Sequence, residues 1–405
     1  MVTILDHPMA KRPFPDALGA GESRESVAFL LRIGRALHRY GSPAHRLEAC
    51  LTELAQRMNL VGQFFATPTS LFIALGKDDR QRTYLLRVEP GEVNLSKLAD
   101  LDMIVDRFVQ GELETSEAND EVERILNRAP RYGRIRTTIA HAFACGGAAI
   151  FFGGTWVDMG LAGLVGIILG LLWIAIEAHR RALRLFETLA GMIAASVAVI
   201  CAWLIGEPVS PSVVTVAGII VLVPGLTMTV AINELATRNL ASGTARLMGG
   251  LTILIALGFG AAIGLRLESV LPARVPMESL VATPLFLEVP LVAASALAFV
   301  VLFQARLRDA LSILLTCGLA LYGARIGSAV LGPELGACFG AFVVGLTSNV
   351  IARVRKLPAV IAGLPGLIFL VPGSIGFQSF SALIDHVVSL NMPLLWLQMC
   401  YRHLP

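Results

Sequence analysis

The sequence predicts an α-helical polytopic membrane protein with ten spans as two inverted five-helix repeats, preceded by a small α+β soluble domain. Three observations carry that prediction. Of 405 residues, 55% are AVILMFWYC, and the mean hydropathy is +0.70, well above that of a soluble globular domain. Charge divides unevenly: residues 1–136 hold 19 Lys/Arg and 19 Asp/Glu, whereas residues 137–405 hold only 14 and 11. The triplet Val-Pro-Gly occurs twice inside long apolar stretches, as Leu222-Val223-Pro224-Gly225 and Leu370-Val371-Pro372-Gly373, 148 residues apart.

The first residues are polar and proline-bearing, with no apolar core of a cleavable signal peptide. Residues 1–24 are expected to form a disordered tail, and 25–136 a cytoplasmic α+β domain. From Ser26 to Tyr40 apolar residues recur at helical spacing (Val27, Leu30, Leu31, Leu37) and stop at Gly41. Ser42-Pro43 offers an N-cap and a first-turn proline for the next helix, which carries Leu47, Leu51, Leu54 and Met58. Val61–Leu75 and Thr83–Val88 are β-rich, with a polar turn at Gly76–Arg80 suited to a hairpin. Thr67-Pro68-Thr69 interrupts the first run. Two further helices are expected near 95–110 and 116–128.

After Arg136 come ten apolar segments, near 137–153, 157–176, 188–205, 212–232, 246–265, 284–304, 310–330, 335–352, 357–377 and 387–401. Most approach the roughly 20 residues that cross a bilayer, and the last is short. With the first span starting inside, inner segments hold 15 Lys/Arg, including Arg128, Arg180, Arg238, Arg306 and Arg353. Outer loops hold only Arg266, Arg274 and Arg325. This positive-inside asymmetry puts both termini in the cytoplasm.

The two Val-Pro-Gly spans are the fourth and the ninth, so each repeat has five spans. An odd number sends the second repeat into the membrane upside down. The repeats are expected at 137–265 and 284–405. Paired Pro-Gly breaks in corresponding spans are the sequence pointer to the binding site of a repeat-built secondary transporter. Gly218 and Gly366 share the 148-residue offset.

Pro-Gly breaks free backbone groups that need partners at bilayer depth. Polar side chains lie beyond each: Thr227, Thr229, Asn233 and Glu234 after Pro224-Gly225, then Ser374 and Gln378 after Pro372-Gly373. Donors and acceptors without a fixed charge suit a small zwitterion. Asn349 near the end of the eighth span is a further candidate for the pathway. Glu234 and Glu288 are the acidic candidates for ion coupling. His141, one turn into the first span, reads as an interfacial histidine. In the soluble domain Arg46 and Glu48 follow a helix break two residues apart, too close to pair on one helix. They are expected at its contact with the membrane part. The chain contains no G-x-S-x-G, H-E-x-x-H or P-loop, and its six scattered cysteines have no metal-ligand spacing. Neither a catalytic residue nor a metal or cofactor is assigned.

Together these residues resemble the threonine/serine exporter family. The likeness is carried by Leu31-Arg32-Ile33-Gly34-Arg35-Ala36-Leu37 with Gly41 and Arg46-Leu47-Glu48, then Thr67-Pro68-Thr69 and Arg87-Val88-Glu89-Pro90 with Asn94-Leu95. In the membrane part it is carried by Val223-Pro224-Gly225-Leu226, Asn233-Glu234-Leu235, Arg246 and Val371-Pro372-Gly373. The resemblance implies a hydrophilic N-terminal domain before ten spans, and export of threonine and serine from the inner membrane by ion-driven antiport, protons being the economical ion. The partners expected are an amino acid, a coupling ion and the lipid bilayer, with no nucleic acid; self-association is left open. The alternatives are a small dicarboxylate exporter and a membrane-embedded enzyme with a hydrolase-like N-terminal domain.

Overall fold

A computed structural model describes residues 24–76, 81–89, 91, 93–177, 179, 182–205, 209–272 and 285–370. The N-terminal elements are α1 (Arg24–Arg39), α2 (Ala44–Arg57), β1 (Gly62–Thr67), β2 (Ser70–Leu75), β3 (Arg82–Arg87), α3 (Leu95–Val109) and α4 (Thr115–Asn127). The apolar stripe of α1 is buried, with Phe29 and Ile33 joining Val27, Leu30, Leu31 and Leu37. The helix ends at Gly41, whose φ of +97° lies in the left-handed region that a side chain disfavours.

Pro43, not Ser42, is the N-cap residue of α2, and it offers no side-chain acceptor. The difference of one residue matters, because it leaves the first amide of α2 to find a partner elsewhere.

The strands form an antiparallel meander in the order β1-β2-β3. Pro68-Thr69 turns the chain between the paired Thr67 and Ser70, so the interruption in the β-rich run is a hairpin tip. Leu71, Ile73 and Leu75 on β2 are fully buried while Phe72 between them is exposed, so one face of the sheet packs on the helices.

The membrane elements are α5 (Arg134–Phe151), α6 (Trp156–Ile176), α7 (Phe186–Ile205), α8 (Pro211–Gly218), α9 (Gly225–Ala236), α10 (Leu240–Leu265), α11 (Leu285–Leu302), α12 (Ala310–Leu331), α13 (Pro333–Arg355) and α14 (Ala359–Phe369). Among the described residues five stretches are long and apolar enough to cross a bilayer: Trp156–Ile176, Leu183–Ile205, Leu240–Ser269, Leu307–Leu331 and Leu335–Arg355. Val289–Leu302 and Ala359–Phe369 are shorter apolar helices. The fourth expected span is not one helix. It is α8 and α9 on either side of a turn at 219–224. The second Val-Pro-Gly and the tenth expected span lie outside the described residues.

Leu164, Leu171, Ile255, Phe259, Leu315, Phe342 and Leu346 are exposed large apolar side chains on these helices, as lipid-facing surfaces require. Inside, small residues let backbones approach. A side chain at Gly260 on α10 would collide with the carbonyl of Thr188 on α7, and one at Gly264 with that of Met192. The Gly-x-x-x-Gly pair therefore sets how closely these helices lie.

Among the described residues, the N-terminal domain is bonded to the membrane part at two places, among others. At one, the Leu95 amide donates to the Phe303 carbonyl at 2.9 Å, the Tyr132 amide to Gln304 Oε1 at 2.9 Å, and buried Arg306 pairs with Asp100. Asp100 is also held by Arg128 at 2.6 Å. At the other, Glu234 reaches α2.

Candidate functional site

Pro224 cannot donate an amide, so no α-helix runs unbroken from α8 into α9. Tight bonds carry the turn: the Leu222 amide donates to Ile219 O at 2.8 Å, and the Gly225 amide to Val223 O at 2.8 Å. Helix α9 then starts at Gly225 with Pro224 as its N-cap residue and no side-chain cap. Its positive end therefore opens onto whatever lies beside the turn.

A cavity of about 420 Å³ lies there, bounded by α5, α6, the turn at 219–224, α11 and α14. That volume is in the range of small-molecule sites, roughly 300–1,000 Å³. Val93 of the soluble domain, Arg134, Trp173 and Phe303 line one end; Pro224, Gly225, Phe151 and Phe369 line it deeper along the helices. The walls are mainly apolar, and their polar side chains are few: Thr137, Thr138 and His141 on α5, Thr227 on α9, and Ser295 on α11, besides Arg134. Arg134 is bridged to Glu177 at 2.9 Å.

The hydroxyls spend their protons locally. Thr138 donates to Arg134 O at 3.0 Å and Ser295 to Phe143 O at 3.3 Å, leaving oxygen lone pairs as acceptors. Phe369 closes the deep part by edge-to-face contacts with both Phe151, at 5.8 Å, and Phe299, at 6.1 Å between ring centroids.

Glu234 lies away from this cavity. It is fully buried at the junction with the soluble domain. Its carboxylate accepts from the Ala44 amide at 2.9 Å and the Ser242 hydroxyl at 2.7 Å, and it is bridged by Arg246 at 3.1 Å. The orphan amide at the start of α2 thus finds its partner 190 residues along the chain.

Next to this hub, buried His38 donates from Nε2 to the Thr67 carbonyl at 2.6 Å, and its Nδ1 has no partner among the described residues. Burial pushes the His38 imidazole below its ordinary range; the Thr67 bond opposes this and Arg246 adds to it. Burial likewise pushes the Glu48 carboxyl up, against the bond from the Ala66 amide and with help from the Glu234 charge.

The residues singled out from the sequence are distributed as follows. Pro224, Gly225 and Thr227 line the cavity. Thr229 sits one turn further along α9 and donates to Gly225 O at 2.9 Å. Asn233 is exposed beyond the cavity, and the exposed Asn349 turns back on its own helix, donating to Gly345 O at 2.7 Å. Glu288 is in the first turn of α11, with its side chain outside the described residues, as are Pro372, Gly373, Ser374 and Gln378 entirely.

Arg46 and Glu48 differ from expectation. Each has a partner within the soluble domain: Arg46 pairs with Asp102 on α3 at 2.6 Å, and Glu48 accepts from the Ala66 amide on β1 at 2.7 Å. They brace α2, and the residue of this stretch that bonds to the membrane part is Ala44. Thr67 and Pro68 sit at the hairpin tip, where the Thr67 carbonyl holds His38.

Two cavity residues had no such standing in the sequence. His141 was expected at the interface and instead lines the cavity, because α5 begins at Arg134, almost two turns before it. Ser295 drew no attention among the apolar residues of α11. One signal could have found it: Ser295 stands 148 residues after Gly147, the offset of the two Val-Pro-Gly triplets.

Comparison with known proteins places this geometry in context. A family described as "Putative threonine/serine exporter" matches residues 28–268, and one described as "Threonine/Serine exporter, ThrE" matches residues 288–398. The chain is similar to "Pheromone-regulated membrane protein 10" of Debaryomyces hansenii, 29% identical over 371 residues, which is 87% of this chain and 36% of that protein. Proteins of that name from Kluyveromyces lactis and Saccharomyces cerevisiae are each 27% identical over 366 residues, 87% of this chain and 38% and 46% of theirs. The chain therefore spans less than half the length of these relatives. No solved structure matches it.

Proposed function

Because the chain belongs to the threonine/serine exporter family, a family of multi-pass membrane transporters, we propose that it is a secondary transporter exporting small hydrophilic metabolites, threonine and serine foremost. The observation that carries this reading is the cavity at the α8–α9 break, where a few polar groups stand in apolar walls at the positive end of a helix. That end suits a carboxylate, and an acceptor oxygen such as that of Thr138 suits an ammonium. The one cationic side chain among the described lining residues, Arg134, is already bridged by Glu177. A zwitterion fits this balance better than a dicarboxylate, which would call for unpaired positive charge.

Inverted repeats would let the two halves exchange conformations around one site, and the contact between α5 and α11 favours them. Gly147 and its counterpart Ser295 face each other where α5 meets α11. The contact is reciprocal: Ser295 bonds to the carbonyl of Phe143, and a side chain at Gly147 would meet the carbonyl of Leu291, which stands 148 residues after Phe143. Self-complementary contacts of this kind are what a two-fold axis produces.

In this reading the protein sits in the inner membrane with both termini cytoplasmic, and the cavity faces the cytoplasm beside the soluble domain. The domain does not catalyse; it regulates entry, held by Glu234 and by the Asp100–Arg306 pair. A proton gradient drives export by antiport. The test is efflux of radiolabelled threonine and serine from proteoliposomes, with and without an imposed pH gradient. Loss of efflux on filling the cavity with Thr227→Phe, in protein that still folds, is expected. Transport unaffected by that change, or selective for dicarboxylates, would overturn the proposal.

A further inference from the structure

Among the described residues that line the cavity there is one imidazole, His141, and its geometry suits a specific task. His141 lines the wall, and its Nδ1 is 2.8 Å from the carbonyl of Thr137. A carbonyl only accepts, so Nδ1 carries the proton of the neutral ring and Nε2 is left with a lone pair. The ring is thereby held in one tautomer by its own helix. Among the described residues, the other charged or titratable groups of the elements around it are engaged or elsewhere. On α5, Arg134 is bridged to Glu177 at the end of α6, and Cys145 donates to the Gly218 carbonyl at 3.2 Å. Arg136, also on α5, is exposed. On α6, Asp158 is bonded by Thr155 and by the Ser210 amide. Helices α8 and α14 carry no titratable residue, nor do the described side chains of α11. Glu234, the acidic residue nearest the break in sequence, is occupied by Ala44, Ser242 and Arg246 outside the cavity.

We propose that His141 Nε2 is the coupling site, where a proton and the substrate ammonium group compete for one lone pair. This deepens the transport reading and rests on it. With the cavity open to the cytoplasm, neutral His141 accepts a hydrogen bond from the ammonium, beside the oxygen of Thr138 one turn before it on α5. With the cavity open to the outside, the amino acid leaves and Nε2 takes a proton from the outer medium. The imidazolium then has a donor and a positive charge where the ammonium would bind, so substrate cannot rebind and be carried back. On return the proton is released to the cytoplasm and the lone pair is restored. One proton enters for each amino acid that leaves, and the exclusion is set by a single nitrogen.

The experiment compares wild type with His141→Gln in proteoliposomes loaded with radiolabelled threonine. Glutamine keeps an acceptor for the ammonium but cannot titrate. His141→Gln is expected to lose acceleration by an inward proton gradient, and its threonine–threonine exchange, slowed or not, is expected to lose its dependence on pH. Gradient-driven export by His141→Gln equal to wild type would overturn the histidine assignment while leaving transport intact. Absence of threonine exchange in wild type would overturn the transport reading and this assignment with it. A second measurement needs no variant: threonine affinity of the wild type in detergent should weaken about tenfold for each unit that pH falls below the His141 titration, with unit slope. Affinity independent of pH from 8 to 5 would equally overturn the proposal.

Discussion

The Ala44 amide donates to Glu234 Oε1 at 2.9 Å, joining the first turn of a helix of the N-terminal domain to a fully buried carboxylate in the membrane part. Pro43 caps α2 without a side-chain acceptor, so this contact supplies what the local sequence withholds. The same carboxylate neutralises Arg246, whose side chain is largely buried too.

Removing one member of that pair leaves the other buried and uncompensated. Glu234→Ala is expected to cost about 3–5 kcal/mol, the usual penalty for breaking a buried ion pair from one side. Glu234→Ala with Arg246→Ala should recover part of the loss. Denaturant unfolding of the detergent-purified protein reads both, and limited proteolysis reports whether the soluble domain has come loose. Equal stability of Glu234→Ala and wild type would contradict the contact.

Gly147 and Ser295 make a sharper test of the α5–α11 crossing. A methyl at Gly147 would overlap Ser295 Oγ, forcing that side chain out of its bond to Phe143. Gly147→Ala should destabilise by about 1–3 kcal/mol, the range for overpacking a tight core. Adding Ser295→Gly removes the obstruction and should restore most of it. Additive penalties in the double variant would mean that the residues do not touch.

At the α7–α10 contact the obstacle is backbone, which cannot rotate away. Gly260→Leu sets its side chain against the Thr188 carbonyl and should prevent the helices from closing. The expected outcome is protein that inserts but elutes as aggregate in size-exclusion chromatography. Leucine at Gly249, where a side chain meets nothing within 4 Å, is the matched control and should behave as wild type.

His38 predicts a pH dependence with a definite sign. Its folded imidazole binds a proton less readily than the ordinary value of 6.5 in the unfolded chain. Below about pH 6.5 the unfolded state holds more protons, so stability rises with pH across that window and falls as pH drops toward the depressed folded value. Melting temperature relative to His38→Gln should therefore be level above pH 7 and decline from pH 6.5 to 5. A constant difference between the two proteins would refute this.

Helix placement followed from the chain alone, because a 3.6-residue apolar period and a glycine with positive φ act within a few neighbours. Val27, Leu30 and Leu31 mark α1, and Gly41 ends it. The break at Pro224-Gly225 was equally legible, since a missing amide donor interrupts a helix in any surroundings. Which side chains face which was decided by tertiary structure. Glu234 looked like a coupling acid and became a docking anchor, because α2 presents an uncapped amide from 190 residues away. Arg46 looked unpaired until α3 brought Asp102 to it. His141 and Ser295 share a cavity only because α5 and α11 cross at a glycine. Periodicity and backbone chemistry are local properties that a sequence states directly; burial and charge pairing depend on distances between segments, which exist only once the chain has packed.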